Sequence, residues 1–192
     1  MVYQLKITLL DSKPPIWRRL LVKENTLLSD LHCIIQTSMG WENAHLHQFI
    51  HDSVFYQPPY DFLEEDGYAT DYSELALSQL INKEKQKTVY EYDFGDSWRH
   101  EILLEQILPE EEGTFYPVCI KGKGACPPED CGGVWGYESL IETLKGKKTR
   151  EQKQMLKWLG LKSADEFDPE YLDIENINEV LKSDNYGVFE GF

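Results

Sequence analysis

An α+β fold is predicted, with a mixed β-sheet, a β-grasp-like opening and a helical C-terminal third. Three observations carry this. The chain opens with two alternating apolar runs and then a helical run, the order strand, strand, helix. Its middle holds two aromatic-rich alternating runs on either side of Gly95-Asp96, the clearest hairpin signal in the chain. From Gly136 the apolar spacing becomes helical. The 192 residues read as one domain, β-rich over 1–134 and helical over 135–192.

The elements follow in order. Tyr3, Leu5, Ile7 and Leu9 alternate, so Tyr3 to Leu10 makes a first strand with one apolar face. Asp11-Ser12-Lys13-Pro14-Pro15 turns the chain, and Ile16 to Val22 returns as its hairpin partner. Ser29 is placed to cap a helix through Met39, with Leu31, Ile34 and Ile35 as its stripe and Gly40 as its stop. His45 to Phe55 reads as one strand, and the polar, aromatic and acidic stretch from Gln57 to Tyr72 as a long surface loop. Asp71 or Ser73 caps a short helix over Leu77, Leu80 and Ile81. Thr88 to Phe94 and Trp98 to Leu104 form the central hairpin. There Tyr90, Tyr92 and Phe94 face one layer, and Trp98, His100, Ile102 and Leu104 share a buried face.

In the last third, Tyr137, Leu140, Ile141 and Leu144 keep a helical spacing that Gly146 ends. Thr149 and Gln152 make a capping-box pair ahead of Met155, Leu156 and Leu159, and Gly160 closes that helix. Asp168-Pro169 is a cap with proline at the first helical position, opening a helix to about Leu181.

Composition narrows the function classes. Nineteen Lys and Arg against 34 Asp and Glu give a net charge of −15. Such a surface repels phosphate backbones and anionic membranes at long range. Arg18 and Arg19 alternate faces on a strand, and Lys121-Gly122-Lys123-Gly124 reads as a turn, so no basic helix or stripe is expected to offset it. Direct binding to duplex DNA is not expected, and a protein or small-molecule partner is. No run of 18 apolar residues suggests a membrane span. Met1-Val2-Tyr3-Gln4-Leu5-Lys6 lacks a signal peptide's apolar block, so a cytoplasmic protein is expected. Four Cys in that setting suggest thiols or a metal more than disulfides.

Three clusters carry the candidate chemistry. On one strand, His45, His47, Phe49 and His51 would share a face. Three imidazoles there suit a metal or a proton relay, and equally a solvated strand face. In the central hairpin, His100 lies beside Trp98 on an apolar face, where Asp93 or Asp96 can accept its ring proton or serve the turn. The third cluster is Cys119, Cys126 and Cys131 with Glu129 and Asp130. Its core, Cys126-Pro127-Pro128-Glu129-Asp130-Cys131-Gly132-Gly133, builds neither helix nor strand well and makes a stiff, functional-looking loop. Three thiols with His100 could ligate zinc, although the Cys spacings are wide for a zinc motif; buried apolar cysteines under a covering loop fit as well. The loop is expected to pack on the end of the central hairpin and bring Glu129 or Asp130 near His45 or His100. Phosphate loops, dinucleotide fingerprints, nucleophile elbows and His-Glu-x-x-His helices are absent from the sequence.

Taken together, these motifs resemble the plasmid pRiA4b ORF-3-like family. The resemblance is carried by Pro15-Ile16-Trp17-Arg18-Arg19, Met39-Gly40-Trp41, His45-Leu46-His47 with Phe49, and the run Tyr90 to His100. Ala125 to Gly133 with Gly136-Tyr137 completes it. It implies one α+β unit of uncharacterised function, in a family found in bacteria and archaea and sometimes on plasmids and transposable elements. The family pattern supports His45, Asp93, Asp96, Trp98, His100, Cys126, Glu129 and Asp130 as site positions. It supplies no catalytic residues, and its position 131 is not always Cys, which argues against a structural metal there. The expected function is a cytoplasmic binding or interaction module with a polar His/Asp/Cys/Glu site. The alternatives are a metal-dependent hydrolase using His45, His47, Asp93, Asp96 and His100, and a mobile-element accessory protein acting through a protein partner.

Overall fold

The computed structural model describes residues 1–59 and 69–188. Strands β1 (Val2–Leu9) and β2 (Trp17–Lys23) form the opening hairpin, followed by helix α1 (Leu28–Met39). Then come β3 (His47–His51), β4 (Val54–Gln57), β5 (Ala69–Asp71) and a short α2 (Leu77–Leu80). The central hairpin is β6 (Lys87–Tyr92) and β7 (Trp98–Leu108), followed by β8 (Val118–Lys123). Helices α3 (Gly133–Lys145), α4 (Arg150–Trp158) and α5 (Ile174–Val180) close the chain. The strands make one eight-stranded mixed sheet of order β5-β4-β3-β6-β7-β1-β2-β8. Among the described residues, only β4 and β5 pair in parallel. The α+β class, the opening order and the helical last third are therefore as the sequence predicts. Among the described residues, no helix is long and apolar enough to cross a membrane.

The period-two pattern decides which sheet face is covered. Tyr3, Leu5, Ile7 and Leu9 on β1 and Trp98, His100, Ile102 and Leu104 on β7 are all almost fully buried. Apart from buried Val2 at the strand start, their neighbours in sequence are half-buried or exposed. Helix α1 contributes Leu31, Ile34 and Ile35 to the same core, and Gly40 ends it in the left-handed conformation (φ 107°). The β1–β7 register sets Leu9 opposite His100, and β6–β7 sets Tyr90 opposite His100 and Tyr92 opposite Trp98. That pairing fixes the hairpin end on which the site is built.

Several local expectations are corrected. Ser29 lies inside α1. The helix starts without a side-chain cap, held instead by the Leu28 amide donating to the Leu75 carbonyl at 2.8 Å. The single strand from His45 to Phe55 is two, because Asp52 and Ser53 both take positive φ (48° and 66°) and turn β3 back into β4. Asp can enter that conformation without glycine. Most of the long loop after Gln57 lies outside the described residues, and its end, Ala69–Asp71, is strand. Asp71 accepts from the Ser73 amide and hydroxyl and does not cap α2. Phe94 is 41% exposed, since Asp93 leaves the strand at φ 56° and ends the alternation. Asp168-Pro169 is a turn. The Pro169 carbonyl accepts from the Ala125 amide at 2.9 Å, and α5 begins later, capped by Asp173.

The Thr149–Gln152 pair is half a capping box. Thr149 caps α4 by accepting from the Gln152 amide. The Gln152 side chain turns away and donates to the carbonyls of Thr143, Leu144 and Gly146 at 3.2, 2.9 and 3.4 Å. One buried amide thus serves the orphan carbonyls at the C-terminus of α3. Gln152→Ala is expected to cost roughly 1–3 kcal/mol, the penalty for leaving buried acceptors unsatisfied. Urea unfolding checks this; a loss too small to measure would show that water replaces the amide.

Candidate functional site

The site forms where the loop 126–133 closes over the β6–β7 turn and the segment between α1 and β3. Asp93 follows β6, and both its backbone and its side chain are held. Its amide donates to the Leu46 carbonyl at 2.8 Å, and its Oδ1 accepts from the Gly95 amide at 2.9 Å. Its Oδ2 is left facing His45 Nε2 at 3.8 Å. The loop locks onto the same turn: the Gly132 amide donates to Asp96 Oδ2 at 3.0 Å. Gly133 sits so close that a Cβ there would lie 2.6 Å from the Asp96 carbonyl oxygen, at a φ of 67° that disfavours any side chain. At the other end of the loop, Cys126 packs against Gly40, where a Cβ would meet the Cys126 Cβ at 3.2 Å.

Glu129 is held from two sides. Its Oε1 accepts from the Glu42 amide at 2.8 Å and from the Tyr92 hydroxyl at 3.0 Å. The Tyr92 oxygen in turn accepts from the Ala44 amide at 2.8 Å. Glu129 Oε2 is buried, has no hydrogen-bond partner, and lies 3.6 Å from His45 Nε2, which is likewise buried and unpartnered. Asp130 Oδ1 approaches the same nitrogen at 3.4 Å, with its side chain 71% exposed. His45, Asp93 and Asp130 offer ligand atoms that all lie within 4.8 Å of one another. Burial pushes the Glu129 carboxyl above the usual range, against the Glu42 amide that favours its ionised form.

The remaining sequence-predicted residues lie elsewhere. His45, His47 and His51 do not share a strand face, since His45 precedes β3. His47 stacks on His32 with ring centroids 3.5 Å apart, and His51 lies beside Asp52 at 3.6 Å. Trp98 and His100 are fully buried under Trp41, whose indole N–H donates to His100 Nε2 at 3.4 Å. Burial holds His100 down to about 4, so it is neutral near pH 7. Asp96 anchors the loop and is not in the His45 cluster. Cys119, Cys126, Cys131 and His100 form no metal-holding group among the described residues. Burial pushes the Cys131 thiol up to about 12 and the Cys126 thiol well above its ordinary value, which disfavours the thiolates zinc requires. Tyr92 is the site residue the sequence reading missed. It reads as a core aromatic, and its polar tip at the strand end, one residue before Asp93, was the available signal.

A family model for the plasmid pRiA4b ORF-3-like protein matches residues 1–176. The chain belongs to this family. It is 33% identical to the uncharacterised protein y4hQ of Sinorhizobium fredii over 181 residues, covering 94% of this chain and 90% of that one. It is also similar to the crystal structure of MM3350, a protein of unknown function from Methanosarcina mazei Go1. That similarity has a TM-score of 0.79 and 39% identity, with 91% of this chain and 96% of that chain covered. The fold is thus shared with MM3350, and neither relative's description assigns an activity.

Proposed function

We propose that this protein is a binding module whose His45, Asp93 and Asp130 side chains take one divalent cation with mixed nitrogen and oxygen ligation, such as zinc or manganese, with Glu129 beside it. The observation that carries this is the pair of buried, unpartnered atoms, His45 Nε2 and Glu129 Oε2, pointing toward each other among further carboxylates. A histidine hydrogen-bonded to these groups would sit nearer than 3.4–3.8 Å. Ligands at about 2.0–2.2 Å from a tetrahedral ion lie roughly 3.3–3.6 Å apart; Asp130 and Glu129 approach His45 Nε2 at 3.4 and 3.6 Å, and Asp93, at 3.8 Å, would draw in slightly on binding. A cation also removes the cost of two buried polar atoms without partners.

Titration calorimetry on chelator-stripped protein tests this with zinc, manganese and magnesium chlorides. One equivalent of zinc or manganese is expected to bind and raise the melting temperature. At a free metal concentration of 100 Kd the gain is about 2.7 kcal/mol. His45→Ala should abolish both effects while leaving the fold intact, since His45 is partly exposed and outside the core. Absence of binding, or binding indifferent to His45→Ala, would sink the proposal.

A metal-dependent hydrolase is the second reading, and its support is the exposure of Asp130, which leaves the outer side of the cluster open to water. A cation with an open position can bind and activate water. Glu129, raised toward neutrality by burial, is then placed to act as the base. Zinc-loaded protein that hydrolyses a model phosphodiester or ester, and loses that activity in Glu129→Gln with zinc still bound, would favour this reading over simple binding.

A further inference from the structure

The segment from Lys145 to Lys162 holds seven Lys and Arg against one Glu, a net charge of +6 in a chain whose total is −15. The remaining residues therefore carry −21, so this is a local reversal of sign and not part of a general mixture. The expectation that no basic stripe offsets the acidic surface fails here. None of these Lys and Arg residues forms an ion pair among the described residues, whereas Lys23, Lys87 and Arg19 each pair with a glutamate. Unpaired cations are natural on a flat solvated face, but four of these border a hollow.

That hollow has a volume of about 500 Å3 and lies between the end of α3, helix α4 and the chain from Lys162 to Pro169. Lys145, Lys148, Lys153 and Lys162 line it. Its other wall is apolar, built by Ile141, Leu144, Leu156 and Phe167. Asp165 is the one acidic residue on it, and the Ser163 side chain adds a hydroxyl. The shape is kept open by the Gln152 clamp on the α3 carbonyls and by the turn at Gly146. Helix α4 separates this basic cleft from the acidic loop, because Glu151, Met155 and Trp158 on its other side face Asp130 and Cys131.

The geometry points to a binding site for a nucleoside di- or triphosphate, distinct from the His45 site and independent of its reading. Four ammonium groups match the three to four negative charges of a polyphosphate tail, which point-charge lysines recognise well. The apolar wall with the Phe167 ring suits a flat base. The volume falls within the roughly 300–1,000 Å3 of small-molecule sites. A long nucleic acid fits less well. It would extend beyond the cleft over a surface of net −21, whose field repels it, while a mononucleotide stays inside the basic region.

The test uses metal-free full-length protein in a phosphate-free buffer, with ATP, ADP, adenosine and inorganic triphosphate as probes in calorimetry. ATP is expected to bind in the micromolar range, at least about tenfold more tightly than adenosine or inorganic triphosphate, with an affinity that falls as salt rises. The double variant Lys148→Glu, Lys162→Glu should lose at least about tenfold in ATP affinity, and Phe167→Ala should bring ATP down to the level of inorganic triphosphate. Lys148 and Lys162 are exposed, so the charge reversal leaves the fold intact, and an unchanged melting temperature verifies it. Zinc titration of the same variant should match the unaltered protein, which separates failure here from failure of the His45 site. ATP binding unaffected by the charge reversal overturns the proposal. So does binding of a short single-stranded RNA far more tightly than ATP, which would make the cleft part of a polyanion surface.

Discussion

Lowering the pH from about 7 to about 4 is expected to unfold this protein cooperatively, with a loss of stability as steep as about 4 kcal/mol per pH unit when three protons are taken up on unfolding. The protons go to His32, His47 and His100. Burial holds His32 and His100 down to about 4, and burial followed by the His32 charge holds His47 well below its ordinary value. Each is neutral in the fold, and each titrates near 6.5 in the unfolded chain. The unfolded state therefore binds more protons between about pH 6.5 and 4, and the stability these groups supply is complete above that window and lost through it. Moving a proton affinity from 6.5 to about 4 is worth roughly 3 kcal/mol for each of His32 and His100. That sum is comparable with the whole stability of an ordinary domain.

The hydrogen bonds show why the fold excludes the charged ring. The His32 Nε2–H donates to Asn43 Oδ1 at 2.9 Å, and His32 Nδ1 accepts from the Tyr90 hydroxyl at 2.8 Å. The Tyr90 oxygen accepts from Gln36 Nε2, and Gln36 Oε1 accepts from the Asn43 amide. This closed ring uses one donor and one acceptor of imidazole, the inventory of the neutral form. A second N–H at Nδ1 would face a hydroxyl already oriented toward it, with a second histidine stacked on the ring. Acidification also reduces the magnitude of the negative charge on this acidic chain, which by itself would relieve repulsion and stabilise it. Melting curves across the window therefore discriminate cleanly: a melting temperature level or rising as pH falls to about 4.5 would show these histidines protonated in the fold.

The parts of this architecture that were legible in sequence are those fixed by local periodicity. The β1–β2 and β6–β7 hairpins follow from alternation, and α1 from its stripe and Gly40. The stiff loop could be seen to need a landing place, and it lands beside His45 and not His100. His100 obeyed a different rule. An imidazole on an apolar face next to Trp98 went into the core, as that face required. What was not legible depends on contacts far apart in the chain. Nothing near Asp168 announces that the Pro169 carbonyl is taken by Ala125, which delays α5. The turn at Asp52-Ser53 has no glycine to mark it, so β3 and β4 read as one strand, and nothing local marks that β3 begins only at His47, so His45 reads onto its face. The His32–His47 stack joins a helix to a strand, and His32 carried no motif of its own. The basic cleft was hidden by a whole-chain charge that averages it away.

Arg18→Ala is expected to cost about 3 kcal/mol or more, because it strands several buried carbonyls, each left unsatisfied at roughly 1–3 kcal/mol. Arg18 is 2% exposed, on the covered face of β2. Its guanidinium has no carboxylate among its hydrogen-bond partners. Nε donates to the Ser38 carbonyl at 2.7 Å, Nη1 to the carbonyls of Trp17 and Lys123 at 3.0 and 3.1 Å, and Nη2 to Met39 at 3.4 Å. Two of these are orphan carbonyls at the C-terminus of α1, where a cation is also favoured by the helix dipole. A planar fork is needed to reach α1, β2 and the end of β8 at once. Lysine has one ammonium and cannot, so Arg18→Lys should recover less than half of the loss. The same bonds fix the two chain segments that carry the site. Met39 precedes the Gly40 contact with Cys126, and Lys123 leads into the loop that carries Glu129 and Asp130. Arg18→Lys, assayed where it remains folded, should therefore weaken zinc binding at His45 without altering any ligand. Chemical denaturation measures the first effect and zinc calorimetry the second. An Arg18→Ala protein within about 1 kcal/mol of the unaltered one would mean that water or a shift of α1 satisfies those carbonyls.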